Sequence, residues 1–168
     1  MLSRKIGEIN IRFAVPKDIS EIISINLKTL PEHYSHSFFI ELLIDSPETF
    51  LVAELNNKII GYIMCRTEHG FSTVKKMRFA KKGHIVSFAV LDNHRRKGIG
   101  KCLLEEAIRG MQSRKCSEAY LEVRTNNDAA IELYKNLGFD SSVILNNYYK
   151  DGENALLMCK KIQENIIN

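Results

Sequence analysis

An apolar run that leads directly into a basic, glycine-containing turn constrains this 168-residue chain more than any other feature. Residues 83–90 read Gly-His-Ile-Val-Ser-Phe-Ala-Val, which is typical of a central strand buried on both faces. Residues 95–100 read Arg-Arg-Lys-Gly-Ile-Gly, and apolar residues then recur at helical spacing to about Ser113. The pattern predicts a strand, a turn and a helix at the centre of the fold.

The turn has the composition of an anion site. Gly98 and Gly100 let the backbone bend sharply and approach a ligand, and a helix start presents N–H groups that lack intrahelical acceptors. A phosphate or pyrophosphate is therefore the expected occupant, although a helix entered through a solvated turn would have the same sequence. The spacing matches neither a P-loop nor a dinucleotide fingerprint. The cations around the turn are Arg95, Arg96, Lys97 and Lys101.

The remaining periodicities predict a mixed α/β fold in one domain, residues 1–168, with a central mixed sheet of about seven strands and about four helices. Asn56-Asn57 separates two predicted strands and suits a tight hairpin, because asparagine tolerates positive φ. Further strands are predicted near 9–13, 50–55, 58–67, 119–123, 142–145 and 155–160, and further helices near 16–30, 38–45 and 127–138. Asn126 or Asn127 can cap the last of these helices, and Gly138 can end it.

Composition limits the classes of protein to which this chain can belong. No apolar stretch approaches the roughly 18 residues of a membrane helix, and the first residues lack the apolar centre of a secretory signal, so we expect a cytoplasmic protein without membrane contact. The four scattered cysteines predict reduced, buried thiols and no metal site. The basic run 75–82 could meet nucleic acid or an acidic surface, but we interpret it as a solvated loop and expect no specific nucleic acid.

The glycine turn also carries a resemblance. Arg95-x-x-Gly98-x-Gly100 after an apolar strand resembles the signature of the GNAT superfamily of N-acetyltransferases. Within it, further blocks in matching order resemble the protein amino-terminal acetyltransferases, above all the archaeal and eukaryotic Ard-type catalytic subunit, with bacterial RimI more distant. These blocks are 30–34, 83–90, 121–124, 127–134 with Gly138-Phe139, and 148–155.

The resemblance implies the GNAT fold and acetyl-coenzyme A as the acetyl donor. Backbone N–H groups of the turn would hold the pyrophosphate, and residues 88–90 would pair with the pantetheine arm. A backbone N–H near Val90 would polarise the thioester carbonyl, Asn127 would hold the coenzyme, and Tyr134 would lie near its sulfur. The implied cofactor-binding residues are Phe88, Ala89, Val90, Arg95, Arg96, Lys97, Gly98, Ile99, Gly100, Lys101, Asn127 and Tyr134.

The reaction needs a base, because an α-amine with a pKa near roughly 8 is mostly protonated at neutral pH. His84 is one candidate, since imidazole titrates near neutrality, and Glu32 is the second. Tyr134 could give a proton to the departing thiolate. Glu122 matches the glutamate proposed as the base in RimI-like enzymes, but here it could equally order the site or bridge water. Each of these side chains could also be purely structural.

The expected acceptor is the free α-amine of a protein, attacking the thioester directly in a ternary complex. Its peptide would lie against Glu32, Tyr34, His84, Tyr148 and Tyr149, whose rings and hydroxyl groups suit a main chain with variable side chains. A ribosome or an auxiliary subunit is a further candidate partner. Two alternatives remain open: an acetyltransferase for lysine side chains or small amines, and a non-catalytic module that binds a nucleotide, a ribosome or RNA.

Overall fold

The computed structural model describes residues 3–75 and 77–162, which contain eight strands and four α-helices. The strands are β1 (Ser3–Ile6), β2 (Ile9–Phe13), β3 (Phe50–Leu55), β4 (Lys58–Phe71), β5 (Phe79–Val90), β6 (Glu118–Arg124), β7 (Asp140–Leu145) and β8 (Ala155–Lys161). The helices are α1 (Ile19–Thr29), α2 (His36–Asp45), α3 (Ile99–Ser113) and α4 (Asp128–Asn136).

The strands form one mixed sheet in the order β1-β2-β3-β4-β5-β6-β8-β7. β5 pairs with β6 in parallel, whereas β1–β2, β2–β3, β3–β4, β6–β8 and β7–β8 are antiparallel pairs. The mixed α/β fold predicted from the sequence is confirmed.

Residue contacts divide the described chain into two compact units, each of which has buried apolar residues. The first comprises the residues up to Arg66 together with Ile85–Gly110. Its core is formed where α1 and α2 pack on β3, β4 and the end of β5, and its largest buried rings are Phe39, Phe50 and Tyr62. This core supports the segment between α1 and α2.

The second unit comprises Thr67–His84 and the residues from Met111 onward. In it, β8 lies between β6 and β7 and pairs antiparallel with both, and Leu121, Phe139 and Met158 are almost fully buried. Lys82–His84 of β5 pair in parallel with Glu118–Tyr120 of β6. β6 is therefore flanked by a parallel and an antiparallel neighbour.

Several local predictions are confirmed. Asn56 and Asn57 have φ angles of 50° and 60°, as a two-residue hairpin between β3 and β4 requires. Asn127 caps α4 by accepting a hydrogen bond from the Ala130 N–H, and Gly138 follows the helix with a φ of 80°. All four cysteines are free and buried. Within the described ranges, no helix is both long and apolar enough to span a membrane.

Two predictions need correction. The sequence predicted about seven strands, and β1 is an additional one that was not recognised, because it has only four residues and no clear apolar alternation. The interpretation of 75–82 as a solvated loop was wrong for its second half. Phe79–Lys82 begin β5, and Lys82 is 9% exposed, with its Nζ 3.6 Å from Glu68 Oε1. Lys76 lies outside the described residues.

A buried ion cluster anchors α1 to the sheet in the first unit. Arg12 on β2 donates two hydrogen bonds to Asp18, of 2.6 and 3.0 Å, and also pairs with Glu54 on β3. The Val15 N–H donates a third bond to Asp18 at 2.9 Å. Burial by itself would raise the pKa of Asp18, but the hydrogen bonds from Arg12 and Val15 outweigh it and hold that pKa below its usual value of 3.8.

We predict that Asp18→Asn lowers the free energy of unfolding by about 2 kcal/mol at neutral pH, because it replaces a charged acceptor of three hydrogen bonds. A carboxyl group whose pKa is lowered by folding stabilises the protein above its unfolded pKa, and this stabilisation is lost as the pH falls through the folded pKa. The difference between wild type and variant in urea unfolding should therefore be constant above about pH 5 and shrink below about pH 4.

The matched control is Asp45→Asn, at an exposed position at the end of α2, which we expect to change stability by less than about 0.5 kcal/mol. A difference for Asp18→Asn that does not shrink in acid would mean that the charge of this carboxylate is not what stabilises the fold.

Candidate active site

The side chain of Arg95 stabilises the turn that follows β5. Arg95 Nε donates to the Val90 carbonyl at 2.9 Å, and Arg95 Nη2 pairs with Asp92 Oδ1 at 2.8 Å. The Arg95 N–H also donates to the Asp92 carbonyl across a short 3-10 turn, Asp92–His94. Arg95 therefore links the end of the strand to the loop, in addition to the positive charge for which the sequence singled it out.

The helix start has the geometry of an anion site. Arg96 and Gly98 have φ angles of 62° and 78°, in the left-handed region, and the Gly98 carbonyl accepts the first helical hydrogen bond, from Cys102. Glycine at 98 has no side chain that could cap the N–H groups of residues 99–101. Arg96, Lys97 and Lys101 are exposed beside these N–H groups. Helix dipole and side chains together favour a phosphate-like anion here.

The last residues of β5 continue beyond the parallel pairing of that strand. The pairing with β6 covers Lys82–His84, whereas β5 runs on to Val90. Ala89 and Val90 are buried and Phe88 is half-buried, as expected for a strand at the centre of a sheet. The Leu91 N–H donates to the Ile60 carbonyl at 2.9 Å, and this bond holds the start of the turn against β4.

A buried polar network fixes the main chain of Glu32. Asn26 Nδ2 donates to the Glu32 carbonyl at 3.0 Å and to Tyr62 Oη at 3.1 Å, and Tyr62 Oη lies 2.7 Å from Ser87 Oγ on β5. Asn26, Tyr62 and Ser87 are 1%, 0% and 5% exposed. Burial raises the pKa of Tyr62 to about 12, so its hydroxyl stays neutral. The network holds the α1–α2 segment against β5.

Tyr34 lies in the same segment and is oriented by its neighbours. Its hydroxyl donates to the Val86 carbonyl of β5 at 3.2 Å. Its ring stacks on Phe38 with centroids 5.2 Å apart, and the edge of Phe39 packs against it at 6.2 Å. The sequence selected Tyr34 for its ring and its hydroxyl group. The hydroxyl is bonded to the sheet, and the ring is half-buried.

In the second unit, His84 and Glu122 form a close pair. Nε2 of His84 lies 2.7 Å from Glu122 Oε2, and the imidazole stacks on Tyr120 with centroids 4.4 Å apart and planes 3° apart. His84 is 9% exposed, and its Nδ1 has no hydrogen-bond partner among the residues that the structure describes. The sequence left the role of Glu122 open. Its observed contact is with the His84 ring.

Tyr120 connects this pair to a second ion pair. Tyr120 Oη donates to Glu68 Oε1 at 2.5 Å, and Lys82 Nζ lies 4.7 Å from the centroid of the Tyr120 ring. Lys82 also pairs with Glu68. The side chains alternate along β5 and β6, so that His84, Lys82, Tyr120 and Glu122 all lie on one face. The sequence analysis did not identify Tyr120, because its role depends on the register of two distant strands.

Asn127 and Tyr134 both belong to α4. Oδ1 of Asn127 caps the helix, at 3.3 Å from the Ala130 N–H, while the residue itself is exposed. Tyr134 is 6% exposed, and its ring packs edge-on against Phe139 with centroids 5.8 Å apart. The helix therefore presents Asn127 at its first turn and a largely buried Tyr134 near its end.

The turn between β7 and β8 carries the two predicted tyrosines side by side, with ring centroids 5.1 Å apart. Tyr148 is 47% exposed and Tyr149 is half-buried. Arg124, at the end of β6, places its guanidinium 4.2 Å from the Tyr149 centroid and donates to Asp151 Oδ2 at 2.8 Å. The hydrogen bond from Arg124 lowers the pKa of Asp151. Arg124 had no predicted role beyond its sequence block.

Within each unit, the structure brings together residues that the sequence selected separately. Glu32 and Tyr34 are joined to β5 in the first unit, and His84 and Glu122 are paired in the second. An uncapped basic helix start is suited to a phosphorylated ligand, and a histidine–carboxylate pair is suited to proton transfer. These features are typical of an acyltransferase that uses a phosphate-bearing acyl carrier.

Comparison with known proteins identifies the family. The sequence profile of the acetyltransferase (GNAT) family matches residues 19–139. An N-alpha-acetyltransferase of Sulfurisphaera tokodaii is 46% identical over 158 residues, which make up 93% of this chain and 95% of that relative. The chain therefore belongs to the acetyltransferase (GNAT) family, as the sequence predicted.

Solved structures agree with this assignment. Ard1 from Thermoplasma volcanium superimposes with a TM-score of 0.81 at 31% identity, over 94% of this chain and 99% of that chain. A chain of the NatC complex bound to Gag peptide and CoA superimposes with a TM-score of 0.83 at 27% identity, over 93% of this chain and 99% of that chain. The GNAT fold is confirmed over nearly the whole length of the protein.

We predict that Arg124→Gln loosens the tyrosine turn. The substitution removes an exposed ion pair and a cation–π contact, and it should speed amide hydrogen exchange at Tyr149, Gly152 and Glu153 by roughly fivefold. Lys150→Gln removes a charge from the same exposed turn, at a residue whose side chain makes neither of these contacts. It should leave these exchange rates unchanged. Equal acceleration in both variants would show that Arg124 does not hold the turn.

Proposed function

We propose that this chain is a protein N-alpha-acetyltransferase, which moves the acetyl group of acetyl-CoA to the free α-amine of protein amino-termini by direct attack in a ternary complex. The observation that carries the proposal is the His84–Glu122 pair, with the second ring nitrogen of His84 unbonded among the described residues. Similarity to N-alpha-acetyltransferases over nearly the full chain supports the choice of acceptor.

The turn after β5 would bind the coenzyme. Arg96 and Gly98 have left-handed backbone conformations and lead into the start of α3. There the pyrophosphate would accept hydrogen bonds from the backbone N–H groups of residues 96–101. Exposed Lys97 and Lys101 add positive charge. Acetyl-CoA supplies the acetyl group in an activated thioester. The main chain of 88–90 would pair with its pantetheine arm, and Asn127 would contact the coenzyme from the start of α4.

His84 is the base in this proposal. The short contact between Nε2 and Glu122 favours the tautomer in which Nε2 carries the hydrogen and donates it to the carboxylate. Nδ1 is then the acceptor that takes a proton from the substrate ammonium group. The charge of Glu122 stabilises the imidazolium that results. Glu32, whose main chain is fixed by Asn26, would attract the ammonium and line the path of the peptide.

The amine nitrogen, once deprotonated, forms a bond to the thioester carbonyl carbon, and the carbon–sulfur bond breaks. A backbone N–H near Val90 would stabilise the negative charge that develops on the carbonyl oxygen. The attacking nitrogen then loses its second proton to solvent. Tyr134 would give its phenolic proton to the departing thiolate and be reprotonated from solvent, so that the products are the amide and the free thiol. Tyr134 is only 6% exposed, so its ring is held by its surroundings.

Aromatic rings in each unit would contact the main chain of the acceptor peptide. The ring of Tyr34 is held by Phe38 and by the sheet, and the turn with Tyr148 and Tyr149 is held by Arg124. Flat aromatic surfaces suit a main chain whose side chains vary. Tyr148 is 47% exposed, so its ring is accessible to the peptide.

We also propose a cytoplasmic location and an encounter with new chains at the ribosome or through an auxiliary subunit. The NatC relative is a complex, which supports an auxiliary subunit. The four free, buried thiols agree with a reducing compartment. All of residues 1–168 would form the one acetyltransferase domain.

The decisive experiment offers acetyl-CoA to the purified chain with a panel of peptides that differ in their first two residues, each with one internal lysine. Mass spectrometry should find one acetyl group on the α-amine, and a peptide with a blocked amino-terminus should stay unmodified. His84→Ala should lower kcat by roughly a hundredfold, and Tyr134→Phe by roughly tenfold, because each removes a proton-transfer group.

The matched control for the histidine is His69→Ala, at an exposed position on β4, which should leave kcat unchanged. Acetyl groups only on lysine or on small amines would refute the proposed acceptor. Without turnover of any amine, the enzymatic role itself would be wrong. Full activity in His84→Ala together with its loss in Glu32→Gln would move the base to Glu32.

Tyr120 gives a second prediction, because its ring fixes the plane of the imidazole. Tyr120→Phe keeps the ring and removes only the bond to Glu68, so kcat should fall by less than about threefold. Tyr120→Leu removes the stacking surface and should lower kcat by roughly tenfold, with the KM for acetyl-CoA unchanged. Equal losses in both variants, at similar melting temperatures, would assign the effect to the hydroxyl rather than to the ring.

A further inference from the structure

The hairpin that joins β4 to β5 exposes four apolar side chains on one short segment, whose described residues, 71–75 and 77–81, we call the basic hairpin. Phe71 is 73% exposed and Phe79 is 65% exposed, and their rings meet edge to face with centroids 6.0 Å apart. Val74 and Met77, at the tip, are 41% and 96% exposed. Single exposed apolar residues are ordinary, but four that are close along the chain point to a contact surface.

Hydrogen bonds to a buried carboxylate on β6 hold residues 72 and 73 of the hairpin. Glu118 on β6, 3% exposed, accepts hydrogen bonds from the Thr73 N–H at 2.7 Å and from Ser72 Oγ at 2.6 Å. The Ser72 N–H donates to the Arg78 carbonyl at 2.7 Å, across the loop. The exposed rings therefore project from an organised loop, and the carboxylate of Glu118 is turned inward.

The surface of the hairpin is positively charged. The sequence contains no Asp or Glu between Glu68 and Asp92. Lys75 and Arg78 are exposed at the tip, and Lys81 is partly exposed. Lys82 is buried against Glu68 and does not contribute. The ligand of this surface should therefore be an anion.

We propose that the basic hairpin binds single-stranded nucleic acid without sequence preference. Bases would stack on the exposed faces of Phe71 and Phe79, while Lys75 and Arg78 contact the neighbouring phosphates. Aromatic rings interleaved with cations suit a ligand that has flat faces and a charged backbone. The sequence has no Asp or Glu between residues 71 and 81, and cations lie beside the rings, so a polyanion with flat faces matches this surface better than a protein surface of mixed charge. This site lies outside the proposed acetyl-transfer machinery and does not depend on that function.

The test is fluorescence anisotropy with a labelled 20-nucleotide oligouridylate at 50 and 200 mM salt. The double variant Phe71→Ala/Phe79→Ala should weaken binding roughly tenfold, since each stacked base contributes to affinity. The double variant Lys75→Glu/Arg78→Glu should abolish most binding at low salt and flatten the dependence of affinity on salt, because phosphate contacts release counterions.

Two controls isolate the surface. Lys28→Glu/Lys58→Glu makes the same change in charge at exposed lysines on α1 and at the β3–β4 turn, and should bind as the wild type does. The thermal unfolding midpoint, followed by circular dichroism, establishes that each variant is folded. A duplex of 20 base pairs should bind several-fold more weakly, because its bases are already stacked.

Three results would overturn the proposal: no binding of the oligouridylate at 50 mM salt, wild-type affinity in both hairpin variants, or equal affinity for the duplex. Displacement of the oligouridylate by an oligoglutamate peptide at equal concentration would also overturn it, in favour of an acidic protein partner. None of these outcomes bears on acetyl transfer to a peptide, which is measured separately.

Discussion

The parallel ladder between β5 and β6 is three residue pairs long, and its last pair, His84 with Tyr120, determines the chemistry of the second unit. Because the strands are parallel and in register, the imidazole lies flat on the phenol ring, and Glu122 follows on the same face of β6. A slip of one residue would turn each of these side chains to the opposite face. The position of the His84–Glu122 pair is thus a property of the sheet, and no loop has to place it.

In the first unit, neutral side chains rather than ion pairs hold the segment between α1 and α2. Asn26, Tyr62 and Ser87 are neutral, and they connect the Glu32 carbonyl to β5 through hydrogen bonds in a site that excludes water. Neutral groups cost less to bury than ions do. The raised pKa of Tyr62 ensures that its hydroxyl remains able to donate over the whole physiological range. The network therefore holds the backbone of Glu32 through its carbonyl group.

The features that could be predicted from the sequence are those with a local cause. Asn56-Asn57, the cap at Asn127 and the turn at Gly98 each follow from the φ angles that one residue tolerates, and all three are found where the sequence placed them. Long-range pairs could not be predicted in this way. His84 and Glu122 are 38 residues apart, and only strand register joins them. Arg124 was likewise missed, since its partners lie on a turn 27 residues away.

Different residues of β5 lie in different surroundings along the strand. Its first residue, Phe79, is exposed on the hairpin, while Lys82 and His84 face the buried cluster around Tyr120, and Val90 precedes the glycine turn. Side chains alternate between the faces of a strand, so an exposed surface and a buried one can occupy the same segment without competing for space. Substitutions on the hairpin should therefore leave the histidine pair intact.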